Sequence, residues 1–186
     1  MKINNRILYI SLNMSDGMEP DLYSFAVKND KNDDTLYCET ADVSYVNMNP
    51  DNIQGLLLTD NMDEEKSQVF YNSAEKGITY VRDTVERIRE YLRIFINEHY
   101  GDDDVIKLVG DIDSIQFTYF YKGMGLDGDE RILRSHNRLD NVIESMNYDK
   151  KETFTEKWNG EIENNSKNPI IQVSIYKRIF DILTDR

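Results

Sequence analysis

ITYVRDTVERIREYLRIFINEHYGDDDVIKLVGDIDSIQFTYFYKGMG, residues 78–125, is the stretch on which the reading of this chain turns. Val81, Val85, Ile88, Leu92, Phe95 and His99 recur at steps of four and three, while Arg82, Glu86, Arg87, Arg89, Glu90 and Arg93 fill the other face. That spacing predicts a helix opening at Ile78, packed on a core along one stripe and stopped by Gly101. The acids Asp102, Asp103 and Asp104 then read as a solvated loop. Val105 to Val109 is a strand too continuously apolar to have a wet face, so it is expected to be buried on both sides. Ile115, Phe117, Tyr119, Phe120 and Met124 make the next segment a largely buried helix opening at Asp113 or Ser114. Such a helix–strand–helix unit puts Asp111 and Asp113 at the carboxyl end of a central strand, where open α/β sheets hold their ligands.

Outward from this unit, Ile7–Leu12 reads as a first strand, short and apolar enough to be central. The breakers Asp16-Gly17 and Glu19-Pro20 mark a turn. Leu22–Val27 and Thr35–Thr40 follow as strands around a polar hairpin loop, an antiparallel meander of three. From Asp42 to Lys76 no period holds; Asn47 to Asn52 should be irregular around Pro50, and Ile53–Leu58 reads equally as a strand or a helical turn. Glu130–Arg134 is a fifth strand, and Ser135 caps a helix carrying Leu139, Val142, Ile143 and Met146. Tyr148 to Lys167 is polar apart from Trp158. The last helix has Asn168 at its cap and Pro169 in its first position, with Ile171, Ile175, Ile179 and Ile182 down one side.

Composition sets bounds on function. The 186 residues suit one domain spanning 1–186, large enough for a continuous core. With 22 basic and 35 acidic side chains the net charge is −13, which opposes non-specific attraction to phosphate backbones. The lone Cys38 forms no internal disulfide and fits a reducing compartment. No apolar run reaches the ~20 residues of a membrane span, and the first residues lack the apolar core of a secretory signal. The expectation is a cytoplasmic protein away from membranes.

Three antiparallel strands followed by alternating helices and parallel strands outline a ribonuclease H-like α/β fold with a mixed five-stranded sheet. On this order, and on three short elements, the chain resembles the DEDD-class 3′-to-5′ exonucleases, near the small exoribonucleases related to ribonuclease T. In that family an Asp-x-Glu ends the first strand, a Gly-x-x-Asp closes the fourth, and a His-Asn-Ala-Leu-x-Asp-Ala element opens the final helix. The four carboxylates hold two Mg²⁺ or Mn²⁺ ions across the scissile phosphodiester, with the His as general base. Here Ser11-Leu12-Asn13 stands in the first element, Gly110-Asp111-Ile112-Asp113 matches the second, and Lys167-Asn168-Pro169-Ile170-Ile171-Gln172-Val173 occupies the third. Asp113 alone keeps its acid; Ser11, Asn13 and Gln172 replace ligands, and Lys167 replaces the base. Hard divalent ions are held mainly by anionic oxygen, so the resemblance implies a retained fold with no catalytic residues and no bound metal, Asp111 and Asp113 being its only remaining ligands.

Each candidate also has a plainer reading. Asp111 and Asp113 suit the cap of the helix near Ser114, and Asp16 and Glu19 are ordinary turn acids. His99 suits the negative end of its helix, His136 a surface position, and Cys38 a buried, inert thiol. Three functions follow as expectations. One is a non-catalytic exonuclease-like module that binds a macromolecule, a protein or an RNA end, through the old cleft; a protein is favoured over nucleic acid, with the aromatic and Met side chains of 42–76 as its best contact surface. The second is a nuclease using Asp113 with Asp111, Asp16 and Asp140. The third is an acidic, phage-type inhibitor filling a partner's nucleic-acid site. The resemblance also leaves a homodimer open.

Overall fold

The structure, a computed structural model, describes residues 4–43, 48, 56, 77–138, 141 and 168–184. Among these, six strands form one mixed sheet: β1 (Asn4–Met14), β2 (Leu22–Asn29), β3 (Thr35–Thr40), β4 (Ile78–Asp83), β5 (Asp104–Gly110) and β6 (Ile132–Arg138). The spatial order is β4-β3-β2-β1-β5-β6. β1 pairs antiparallel with β2, and β2 with β3, as the meander predicts. β5 runs parallel to β1, and β6 parallel to β5. Three helices complete the described architecture: α1 (Val85–His99), α2 (Ser114–Gly123) and α3 (Pro169–Thr184).

The period-2 alternation of β1 sorts its side chains into two cores. Leu8 and Ile10 face one way, into a cluster with Phe25, Val27, Ile106 and Leu108 that is covered by Ile88, Leu92, Phe95 and Ile96 of α1 and Phe117 and Phe120 of α2. Ile7 and Tyr9 face the other way, against Val173, Tyr176 and Ile179 of α3. Each large side chain so buried contributes about 1.5–3 kcal/mol. The mostly exposed ion pairs around the sheet, such as Arg87 with Asp83 and Glu90, are worth at most about 1 kcal/mol each. Burial on both faces therefore sets the layer order.

The sheet has one strand more than the five expected, because residues 78–83 do not open the long helix. They pair parallel with β3, from Ile78 opposite Thr35 to Asp83 opposite Thr40. Ile78, Thr79, Tyr80 and Val81 are β-branched or aromatic and suit a pleated surface; Val81 matched the helical spacing only by coincidence. The helix starts after Thr84, whose carbonyl accepts from the Ile88 N–H at 3.0 Å, and the Asp42 carboxylate accepts from the Val85 N–H at 3.0 Å.

Four other expectations change. Ser135 does not cap a helix: it lies within β6, which runs to Arg138, while Leu139, Val142, Ile143 and Met146 lie outside the described residues. Asp104 is no solvated loop acid but starts β5 and is buried, with Arg6 at 3.5 Å, Lys31 at 3.4 Å and the Gly101 N–H at 2.9 Å. Burial works against its charged form, yet the Gly101 N–H and the Lys31 ammonium outweigh that and hold its carboxyl below the ordinary range. On α2, Ile115 and Tyr119 are exposed, so only its Phe117–Phe120–Tyr121 side is buried. On α3 the buried stripe is Val173, Tyr176 and Ile179, with Ile171 and Ile182 exposed; two stripes of similar spacing compete on this helix, and the one bearing Tyr176 meets the sheet.

β1 and β5 stay paired only from Asn4 opposite Asp104 to Tyr9 opposite Val109. Beyond that point β1 continues to Met14 beside β2 alone, so the sheet forks between the carboxyl ends of its two central strands. Gly110 sits at the fork, where an added Cβ would lie 2.2 Å from the Ile10 carbonyl oxygen. No helix among the described residues is long and apolar enough to cross a membrane.

Candidate functional site

The alternation that sends Ile7 and Tyr9 toward α3 carries on through β1 and sends Ser11 and Asn13 the same way. α3 begins where it was expected to: the Asn168 side chain accepts from the Ile170 N–H at 2.9 Å, with Pro169 in the first helical position. One turn in, Gln172 reaches the sheet, and the Ser11 hydroxyl donates to its side-chain oxygen. Farther along, the Tyr9 hydroxyl donates to Asp181 at 3.5 Å and the Tyr9 ring meets Phe180 edge-on, with 6.0 Å between centroids. The helix thus lies along β1, its first turn at the carboxyl half of the strand. Ser11 and Gln172, assigned to matching positions of two separate elements, are in contact.

Asp113 lies just past the carboxyl end of β5, the other strand of the fork. Its Oδ1 accepts from the Ile115 and Gln116 N–H groups at 2.8 and 2.9 Å, so it is the N-cap of α2. The plainer reading of this acid therefore holds, and the cap leaves Oδ2 available. Asp113 also lines a depression of about 310 Å³ with Ser15, Asp16, Gly17, Met18, Ile115 and Gln116. The turn that carries Asp16 is fixed locally: the Ser15 hydroxyl accepts from the Asp21 N–H at 2.8 Å, and Gly17 adopts φ +124°, which glycine tolerates. Asp16, just past the end of β1, and Asp113, just past the end of β5, thus line one depression. Asp111 is turned to Arg138, 3.7 Å away.

The two histidines are structural. His99 has Nδ1 at 2.7 Å from the Phe95 carbonyl and Nε2 at 3.0 Å from the Asp34 carboxylate, tying α1 to the β2–β3 loop. His136 is not the surface residue expected: it is half-buried on β6, its ring 4.1 Å from that of Phe117, and its Nε2 donates to the Ile112 carbonyl at 2.9 Å. Cys38 is fully buried, and burial pushes its thiol well above the usual range. Lys167 and Asp140 lie outside the described residues. So does most of 42–76, but Met48 and Leu56 are described. They pack inward on Tyr23 and so cannot belong to an exposed contact surface.

One feature at the same end of the sheet is missing from the sequence reading. The strand registers place Asn13 opposite Ser24, Ser24 opposite Glu39 and Glu39 opposite Arg82. Asn13, Ser24 and Glu39 are buried, and the Tyr37 hydroxyl donates to Glu39 at 2.6 Å. This polar row continues sideways from Asn13 across three strands. A Glu in a strand that alternates as Leu36, Tyr37, Cys38, Glu39 reads like an ordinary solvent-facing position, so only the coverage of that face could have shown its burial.

Chemically, the described residues at this end of the sheet offer a neutral hydroxyl–amide pair, Ser11 with Gln172, and two exposed carboxylates, Asp16 and Asp113. No group of three or more His, Cys, Asp or Glu side chains among the described residues is arranged to hold a metal ion. Compared with known proteins, the chain matches no family model and no curated protein.

Proposed function

We propose that this chain is a ribonuclease H-like domain related to the DEDD-class exonucleases, without their two-metal chemistry, that acts by binding a macromolecular partner. The observation that carries this reading is the hydrogen bond between Ser11 and Gln172. In the family, carboxylates at these two positions face each other across metal ions, whose charge makes their proximity tolerable. A hydroxyl and an amide hold each other directly. They join β1 to α3 without any cation and bring no charge to bind one. The strand order supports the fold assignment, since β3-β2-β1-β5-β6 has the ribonuclease H-like sequence of directions and β4 extends it at one edge. The net charge of −13 favours a protein over a nucleic acid, because it opposes the counterion release that drives most non-specific nucleic-acid affinity.

A second reading draws on the depression shared by Asp16 and Asp113: a nuclease whose metal site is rebuilt from displaced acids. One assay separates the two. A 3′-labelled single strand incubated with Mg²⁺ or Mn²⁺ should stay intact, whereas metal-dependent 3′ trimming that disappears in Asp113→Asn would establish the second reading. The combined change Ser11→Asp, Asn13→Glu and Gln172→Asp should raise Mn²⁺ affinity measured by calorimetry, since it returns three carboxylates to the fork. No gain in affinity would mean that these positions do not form the family's site.

A further inference from the structure

Away from the fork, a groove of about 820 Å³ runs between α1 and the turn at residues 123–131. That volume is in the range of small-ligand and peptide sites. Both ends of the groove are tied by arginines. At one end the Arg89 Nε–H donates to the Gly123 carbonyl. At the other, Arg131 grips Asp129 through two nitrogens at 2.9 and 2.7 Å and also donates to Asn97 at 2.7 Å and to the Tyr100 carbonyl at 3.2 Å. The turn is therefore held against the helix at a fixed spacing, and the gap between them is a preformed slot. From Glu86 to Asn97 it follows α1 for roughly 16 Å at the helical rise, enough for about five extended residues.

The chemistry of the slot is layered. Its floor is apolar, made by Ile96, Met124 and Leu126. Its rim is acidic, with Glu86, Glu90, Asp102 and Glu130 all exposed. Of the three lining arginines, Arg131 is paired with Asp129, while Arg89, bonded to a carbonyl, and Arg93 keep their charge; the four rim carboxylates, of which Glu90 also lies 3.9 Å from Arg87, still outnumber these two cations. Gly125 and Gly128 keep the opposite rim low, since a Cβ at either would meet nothing within 4 Å. An apolar floor under a carboxylate rim is the complement of an Arg or Lys side chain, whose methylene stem covers apolar surface while its charged head stays at the edge.

We infer that this groove docks a basic, partly aliphatic peptide segment of a protein partner. The inference rests on the reading that the chain acts through a protein partner, and it gives that partner a surface and a charge. The net charge of −13 draws such a segment in from a distance, and the slot selects it by its alternation of stem and head.

The test is a titration of the full chain, followed by backbone amide NMR, with two capped hexapeptides, one alternating Leu and Arg and the other alternating Leu and Glu. The Leu–Arg peptide should shift the amides of Asn97, Gly125, Leu126 and Gly128, and the Leu–Glu peptide should not. Glu86→Gln, Glu90→Gln and Glu130→Gln together should weaken the Leu–Arg peptide at least about tenfold, three charge-assisted contacts being lost. The side chains are exposed, so the variant folds, which its circular dichroism checks. A control of equal net charge, Glu19→Gln, Asp21→Asn and Glu98→Gln, should bind like the wild type. Shifts produced by both peptides, shifts centred elsewhere, or equal losses in the two triple variants would overturn the proposal. The trimming assay is read separately, so an inactive protein with an empty groove refutes this inference alone.

Discussion

Gly110→Ala is the sharpest probe of the fork. The added methyl would sit 2.2 Å from the Ile10 carbonyl oxygen, whereas carbon and carbonyl oxygen ordinarily meet no closer than about 3.3 Å. More than an ångström of relief is needed. The obstacle is backbone, and Ile10 is held in the ladder opposite Val27 of β2, so no side-chain rotation can supply it. Overpacking typically costs about 1–3 kcal/mol, and an immovable carbonyl in the central strand puts this case at about 3 kcal/mol. In urea, with a slope of about 2 kcal/mol per molar, the unfolding midpoint should fall by about 1.5 M at unchanged slope. Gly128→Ala, where the new methyl meets nothing within 4 Å, serves as the control and should stay within about 0.5 kcal/mol of the wild type. If Gly110→Ala unfolds within about 0.3 M of the wild type, β1 and β5 do not approach as described and the fork is wrongly drawn.

Three further outcomes are expected. Ile179→Ala should destabilise by about 2–5 kcal/mol in the same assay, and a loss below about 1 kcal/mol would mean that α3 does not pack this side on the sheet. The Asp104 carboxyl is depressed in the folded state, so its stabilisation is present above the ordinary Asp pKa of about 3.9 and is lost as pH falls through the folded value; stability measured from pH 6 to pH 2 should therefore fall more steeply in the wild type than in Asp104→Asn, and parallel curves would refute the pairing with Gly101 and Lys31. Cys38 should resist iodoacetamide at pH 8 in the native protein and react only on unfolding; rapid native labelling would show that the strand is not closed over it.

Local signals in the sequence went far toward the fold. Strand β3 was legible to the residue, since Asp34 and Ala41 flank a compact run of strand formers. The interior positions of β1 and β5 followed from two runs too apolar to have a wet side. The start of α3 followed from Asn168 and Pro169, because caps are local chemistry. β4 was misread because Val81 falls on a helical step and its partner β3 is distant in sequence. In the site, the contact of Ser11 with Gln172 could be anticipated only through the resemblance, and burial of Glu39 could not be anticipated at all. The first depends on which face of β1 is covered by α3 and the second on what covers that face of β3, neither of which a residue on those strands encodes by itself.

The position of β1 between β2 and β5 also has a consequence for how the chain is made. One edge of β1 finds its partner almost as soon as β2 emerges from the ribosome, since the two are joined by a short turn. The other edge belongs to Asp104–Gly110. At translation rates of about 5–20 residues per second, that partner arrives on the order of 5–20 seconds later. Throughout that interval Ile7–Leu12, which carries no charge, presents an unpaired apolar margin to every neighbouring nascent chain. The nascent protein is thus most exposed to misassociation between the synthesis of its first hairpin and that of its fifth strand, and β5 does for the finished sheet what a chaperone must do until then.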